Sequence, residues 1–243
     1  MEPLPPDNHG EFKQPWKDPK IALVLDLYGP NRLDFDELAA EPRVAGIIHK
    51  ASEAMAPDPL YADRKLEALR RGYKWGSYHL GRPGDPVAQA DFYLEKADPT
   101  DDEVMALDIE NTTKHSMSLA NAERFVARIR EETRRYPLLY ITGNVRDALL
   151  ESYFADSEFA HTPLWYARYR PDHDISQFFP AELWTTYTLW QFASEVNCPS
   201  KEGLPCPLSK PIPGTEYDMD VNVFWGTVED LRGRWPFTFR EPE

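Results

Sequence analysis

Short apolar, β-branched runs recur along the chain, and several end on a polar residue with a helically spaced stretch behind it. The first four are Ile21–Leu25 closing on Asp26, Val44–Ile48 closing on His49 and Lys50, Trp75–Tyr78 closing on His79, and Val104–Leu107 closing on Asp108-Ile109-Glu110. Four more follow: Leu138–Ile141 with Tyr140, Leu164–Ala167 with Trp165, Thr188–Trp190 closing on Gln191, and Met219–Phe224 with Asp220. Runs of this length read as strands. Phe35–Ala40, Pro59–Arg71, Pro86–Lys96, Ser118–Arg135 and Asn144–Tyr153 carry apolar residues at helical spacing. Gly72 marks a helix stop after Arg71. Beyond Ala167 the connections lose the helical period and become rich in Pro, Gly and aromatics.

Alternating strands and helices predict a parallel sheet, and eight strands predict a closed barrel. Five β-α units are thus followed by three strands with little helix between them. A doubly wound open sheet is the alternative, but it calls for a glycine-rich phosphate turn after the first strand, and DLYGPNRLD is not GxGxxG. We expect a Pro-rich arm over 1–19, one barrel domain over 20–236 and a tail over 237–243.

Composition narrows the class. Hydrophobic residues at 42% and charged residues at 28% fit a globular chain. The net charge of −14 opposes binding to nucleic acid or to an anionic membrane surface. No stretch approaches the roughly 20 apolar residues of a membrane span, and the first twenty residues lack the basic and apolar regions of a signal peptide. Cys198 and Cys206 fit either a local disulfide or two free thiols, and without further Cys or His nearby they make a poor metal site.

Parallel barrels carry their chemistry at the C-terminal strand ends, where this chain puts Asp26, Lys50, His79, Asp108, Glu110, Gln191 and Asp220. Asp108 and Glu110 are two apart, so on a strand they share a face. Two carboxyls in a poorly solvated mouth repel, and one is kept protonated as a general acid. Glycoside hydrolysis needs that division of labour. Asp26 and Asp220 add two more acids if the first and last strands meet. Tyr78, Tyr140 and Trp165 are the aromatics expected to line a sugar cleft. No GxSxG or HExxH motif occurs. His79 with Asp108 and Asp220 could hold a divalent metal, which keeps metal-dependent hydrolysis as an alternative.

In order along the chain, LVLDLYG, IIHKASEA, GYKWGSYHLGRP, DPVAQADFYL, ALDIEN, RYPLLYITG, PLWYARY, TLWQFA and DVNVFWGTVEDL resemble glycoside hydrolase family 25, the Chalaropsis-type lysozymes found as phage endolysins and bacterial autolysins. The resemblance covers roughly residues 20–232. It implies a TIM-like (β/α)5β3 barrel that hydrolyses the β-1,4 bond between N-acetylmuramic acid and N-acetylglucosamine in peptidoglycan, with no cofactor and no metal. It implies Glu110 as general acid, Asp108 as the group that orients the N-acetyl group or stabilises developing positive charge, and Asp26 and Asp220 as groups that shape the cleft field and position water. Lys50, Glu53, Tyr78, His79, Tyr140, Trp165 and Gln191 become expected substrate contacts. The chain departs from the family in reading Leu27-Tyr28-Gly29-Pro30 after the first acid, Ser52-Glu53-Ala54 at the Thr-Glu-Gly turn, and an insertion over Cys198–Cys206. A non-catalytic glycan-binding barrel and a glycosidase acting on chitin-like polymers are the alternatives. The expected partner is cell-wall peptidoglycan, met by a monomer in the wall or periplasm after phage-type release or a dedicated secretion route.

Overall fold

The computed structural model describes residues 9–152, 157–199 and 204–238. The sheet strands are β1 (Ile21–Leu27), β2 (Val44–Glu53), β3 (Ala56–Pro57), β4 (Lys74–Leu80), β5 (Val104–Ile109), β6 (Leu138–Thr142), β7 (Leu164–Ala167), β8 (Leu189–Ala193) and β9 (Asp220–Thr227). The helices are α1 (Phe35–Leu38), α2 (Tyr61–Arg70), α3 (Pro86–Ala97), α4 (Leu119–Thr133), α5 (Gly143–Ser152) and α6 (Val228–Arg234). The order β1-β9-β8-β7-β6-β5-β4-β2 closes on itself through a β1–β2 pairing, so the described residues form an eight-stranded barrel. The two-residue β3 folds back on the end of β2 and stands outside the ring. Five helices follow the early strands and only short 3-10 turns separate the later ones, which makes the fold a TIM-like (β/α)5β3 barrel.

Helix starts follow local chemistry. Asp34, Asp85 and Ser118 each accept a backbone N–H in the first turn of α1, α3 and α4. Thr227 and Asp230 form a reciprocal capping box at α6. Gly72 takes φ +81°, which ends α2 without a Cβ penalty.

β1, β2, β4, β5, β6, β7 and β8 run parallel, but β9 pairs antiparallel with both β8 and β1. The sequence reading made the sheet parallel throughout; the last strand corrects it. Reversal puts the start of β9, not its end, at the mouth, and so brings Asp220 opposite Asp26.

The strands alternate between two apolar layers. Val24, Val104, Ala106, Leu138, Trp165 and Leu189 fill the barrel. Leu23, Leu25, Met105, Leu107, Leu139 and Ile141 face the outer shell with the helix side chains Phe125, Val126 and Ile129. Phe224, Trp235 and Phe237 close the floor: Phe237 packs on both other rings, and Trp235 Nε1 donates to Trp75 O at 3.0 Å. Gly46 leaves room for this plug, since a Cβ there would meet the Trp235 ring at 2.8 Å.

Two boundaries move. Residues 9–19 belong to the barrel's packing and are no free arm: Trp16 is buried, with its ring stacked on Phe192 at 4.1 Å, and Tyr187 OH donates to Glu11 O at 2.5 Å. Phe237, read as the start of a tail, is part of the floor. Residues 1–8 and 239–243 lie outside the described residues. Cys198 and Cys206 form a disulfide, with Cα atoms 4.8 Å apart.

Candidate active site

The mouth is assembled from strand ends. Asp26 on β1 has Asp220 on β9 as its Cα partner, and on the other side of the ring Asp108 on β5 pairs with Leu80 and Tyr140. Glu110 follows β5 directly, and its carbonyl accepts from Thr142 Oγ1 at 2.7 Å. Asp26 and Asp108 are buried, whereas Glu110 is exposed. Asp220 is half-buried, so the four acids grade from the enclosed Asp26 and Asp108 to one carboxyl open to the mouth.

Asp26 is held by two amides. Its Oδ2 accepts from Gln191 Nε2 at 2.8 Å and from Asn222 Nδ2 at 2.7 Å. Asn222 Oδ1 accepts from Trp165 Nε1 at 2.6 Å. Gln191 Oε1 accepts from Tyr140 OH at 2.8 Å and also from Tyr169 OH. These bonds join β1, β6, β7, β8 and β9 into one polar network across the upper barrel, and such a network fixes side-chain orientation.

Burial dominates the electrostatics. It pushes Asp26 up to about 6, against the stabilising bonds from Asn222 and Gln191. Asp108 is driven well above the carboxylate range by burial first and then by Glu110 and Asp26. Asp220 follows through burial and then the charges of Asp26 and Glu195. Asp108 Oδ1 and Asp220 Oδ1 have no hydrogen-bond partner among the described residues. The unpartnered oxygens of Asp108 and Asp220 act in the same direction as burial, because an unpaired buried charge is costly. Glu110 is raised too, by partial withdrawal from water; Arg82 opposes the shift while Glu195 and Glu53 add to it.

A cationic rim stands beside these acids. Glu53 Oε2 meets Lys50 Nζ at 3.1 Å, and Glu53 Oε1 accepts from Arg82 Nε at 2.8 Å. Lys50 Nζ also lies 4.8 Å from the centroid of the Tyr28 ring.

A family model described as "Glycosyl hydrolases family 25" matches residues 28–201. The chain belongs to that family. The family 25 match begins after Asp26 and ends before Asp220, so the closed barrel is what unites these two acids with Asp108 and Glu110. Among curated proteins no sequence match is found. Solved structures share the fold. The bacterial lysozyme from Streptomyces coelicolor is 20% identical, with a TM-score of 0.66 over 87% of this chain and 95% of its own. A family GH25 lysozyme from Aspergillus fumigatus is 22% identical, with a TM-score of 0.66 over 88% and 98%. The catalytic domain of endolysin ply40 from bacteriophage P40 of Listeria monocytogenes is 20% identical, with a TM-score of 0.59 over 88% and 98%. The family 25 chain is a glycoside hydrolase of the lysozyme class.

Within this glycoside hydrolase, Lys50, Glu53, Tyr78, Tyr140 and Gln191 reach the mouth or its lining, but two expected contacts do not. His79 points outward. It is fully buried between barrel and helices, stacked on Phe125 at 5.0 Å, with Nδ1 2.8 Å from Ser52 Oγ and Nε2 3.0 Å from Gln89 Oε1. Burial lowers it to about 4, so it stays a neutral brace for α3 and α4, and neither sugar nor metal reaches it. Trp165 is inward but only 1% exposed, so it is the floor under Tyr78 and Tyr140 and no open stacking surface. Among the described residues no group of three or more His, Cys, Asp or Glu is arranged to hold a metal ion.

Four residues escaped the sequence reading: Asn222, Tyr169, Arg82 and Glu195. The first two carried a signal. Asn222 is two beyond Asp220, and Tyr169 two beyond the inward Ala167, so strand alternation puts both on the lumen side. Arg82 and Glu195 sit in loops, where no period applies.

Proposed function

We propose that the protein cleaves the β-1,4 bond between N-acetylmuramic acid and N-acetylglucosamine in peptidoglycan, with Glu110 as the general acid. The observation that carries this reading is the division of the acids at the end of β5: Glu110 opens to the mouth with a raised pKa, while Asp108, two residues before it, is buried. A protonated Glu110 donates to the glycosidic oxygen as the bond breaks. Asp108, buried below it, orients the substrate's N-acetyl group or stabilises the positive charge that develops at the sugar. Asp26 and Asp220 hold the field of the cleft and position water, with Asp26 itself held by Gln191 and Asn222. Tyr78 and Tyr140 pack on the sugar faces, and Lys50 and Glu53 take polar substituents at the rim. One chain supplies the whole set of acids, so a monomer is the working unit, and its place of action is the cell wall.

Purified sacculi digested with the protein, followed by mass spectrometry of the released muropeptides, test this directly. Products ending in reducing N-acetylmuramic acid are expected, and Glu110→Gln should lower their yield at least about a thousandfold with the fold intact. Products ending in reducing N-acetylglucosamine, equal turnover by Glu110→Gln, or faster cleavage of chitin oligomers than of sacculi would each refute it.

A further inference from the structure

Next to the mouth, the ends of β6 and β7 carry a group of cations that the proposed reaction does not use. The segment after β7 alternates: Tyr169 turns inward to Gln191, while Arg168 and Arg170 turn to the other side and both lie over the ring of Phe178, at 4.7 Å and 4.2 Å. Arg168 packs against Gly143 so closely that a Cβ there would lie 1.8 Å from its Nη1. Gly143 follows Thr142, whose hydroxyl binds the carbonyl of Glu110. One hydrogen bond, one peptide link and one packing contact thus connect the backbone of the proposed general acid to this guanidinium. Arg146, on the first turns of α5, joins the group: after the burial that raises Tyr166, Arg168 and then Arg146 are the cations that oppose the shift.

Pairing distinguishes the three. Arg146 Nη1 meets Asp147 at 2.6 Å, and Arg170 Nε is 3.8 Å from Asp172. The Nε of all three is buried and makes no hydrogen bond among the described residues, but Arg168, itself half-buried, alone of the three has no carboxylate partner among them. A half-desolvated guanidinium with free donors, braced on an aromatic face, is a ready partner for a carboxylate.

We propose that Arg168, supported by Arg170, is a subsite for a carboxylate on the glycan substrate, on the β6–β7 side of Glu110. This rests on the peptidoglycan reading above. Two carboxylates of that polymer fit the chemistry: those of the stem peptide, and that of the lactyl ether, which is free once the stem is removed. Either would place a negative substituent of the muramic sugar beside the acid and give the neutral chitin-like polymers no equivalent grip.

The test is binding, with turnover blocked. Calorimetry with the Glu110→Gln protein, alone and combined with Arg168→Gln or Arg170→Gln, would use three soluble probes: glycan strands with intact stems, strands stripped of stems by an amidase, and chitin oligomers. Arg168→Gln should weaken binding of an anionic strand about tenfold, Arg170→Gln by less, and chitin binding should not change. Weakening confined to intact strands assigns the stem carboxylate; weakening confined to stripped strands assigns the lactyl carboxylate. Equal affinities with and without Arg168, equal losses on chitin, or no binding of either strand would overturn the subsite. Arg168-dependent binding by a wild-type chain that cleaves no peptidoglycan would instead keep the subsite and remove the muramidase reading. Circular dichroism and thermal melting of each variant separate these results from misfolding.

Discussion

Gln191 puts two phenols on one oxygen and a carboxylate on its nitrogen, and the acid it touches carries a pH signature. Asp26 titrates near 3.8 in an unfolded chain and near 6 in the fold, because burial favours its neutral form. Between those values the folded state holds more proton. Its stabilising contribution is therefore full below about 4 and is lost as pH rises through about 6. Asp26→Asn removes the titration and keeps an acceptor for Gln191 and Asn222. The stability of this variant relative to wild type should rise by about 2–3 kcal/mol between pH 4 and pH 8, read by urea unfolding across that range. A difference that stays flat or falls would contradict the assignment. The raised pKa of Glu110 works in the same sense on catalysis, since a general acid loses its proton, and its function, as pH rises.

At the scale of elements, the N-terminal segment shows how a polar stretch can carry structural weight. Its tryptophan lies flat on Phe192, with an interplanar angle of 4°, and edge-on to Trp190 at 5.0 Å. Trp16→Ala should cost about 3–5 kcal/mol in chemical unfolding, where a free arm would cost nothing measurable. Proline and charge hid this, because they mask a single anchoring aromatic from any periodic reading. The five β-α units and the acid-bearing strand were legible, since two-fold and 3.6-fold periods are set by burial and survive in one sequence. Strand direction was not: alternation reads the same both ways, so β9 could only be oriented by the closed sheet. The outward direction of His79 was legible as well. Tyr78 and His79 are neighbours on a strand, and neighbours cannot share a face. The depth of Trp165 was illegible, because period gives the face of a strand and not the distance below the rim.

Over the whole molecule, charge and chemistry pull apart. A chain of net charge −14 repels an anionic glycan at long range, while the proposed Arg168 subsite would add a local attraction. Salt screens the long-range part first, as the Debye length shortens to about 8 Å near physiological ionic strength. The kcat/KM on anionic glycan strands should therefore rise as salt is added from about 0.01 M to 0.15 M, and rise more steeply for Arg168→Gln, which lacks the local attraction. Initial rates at several salt concentrations measure it, and a fall with salt in both proteins would mean that attraction already dominates at long range.

The aromatic plug of Phe224, Trp235 and Phe237 also settles an orientation. Because β9 runs down the barrel before α6 turns under it, the chain at residue 238 leaves from the face opposite the acids. A surface, label or fused protein coupled at that point would hold the enzyme by its base, with the cleft turned outward to an insoluble polymer.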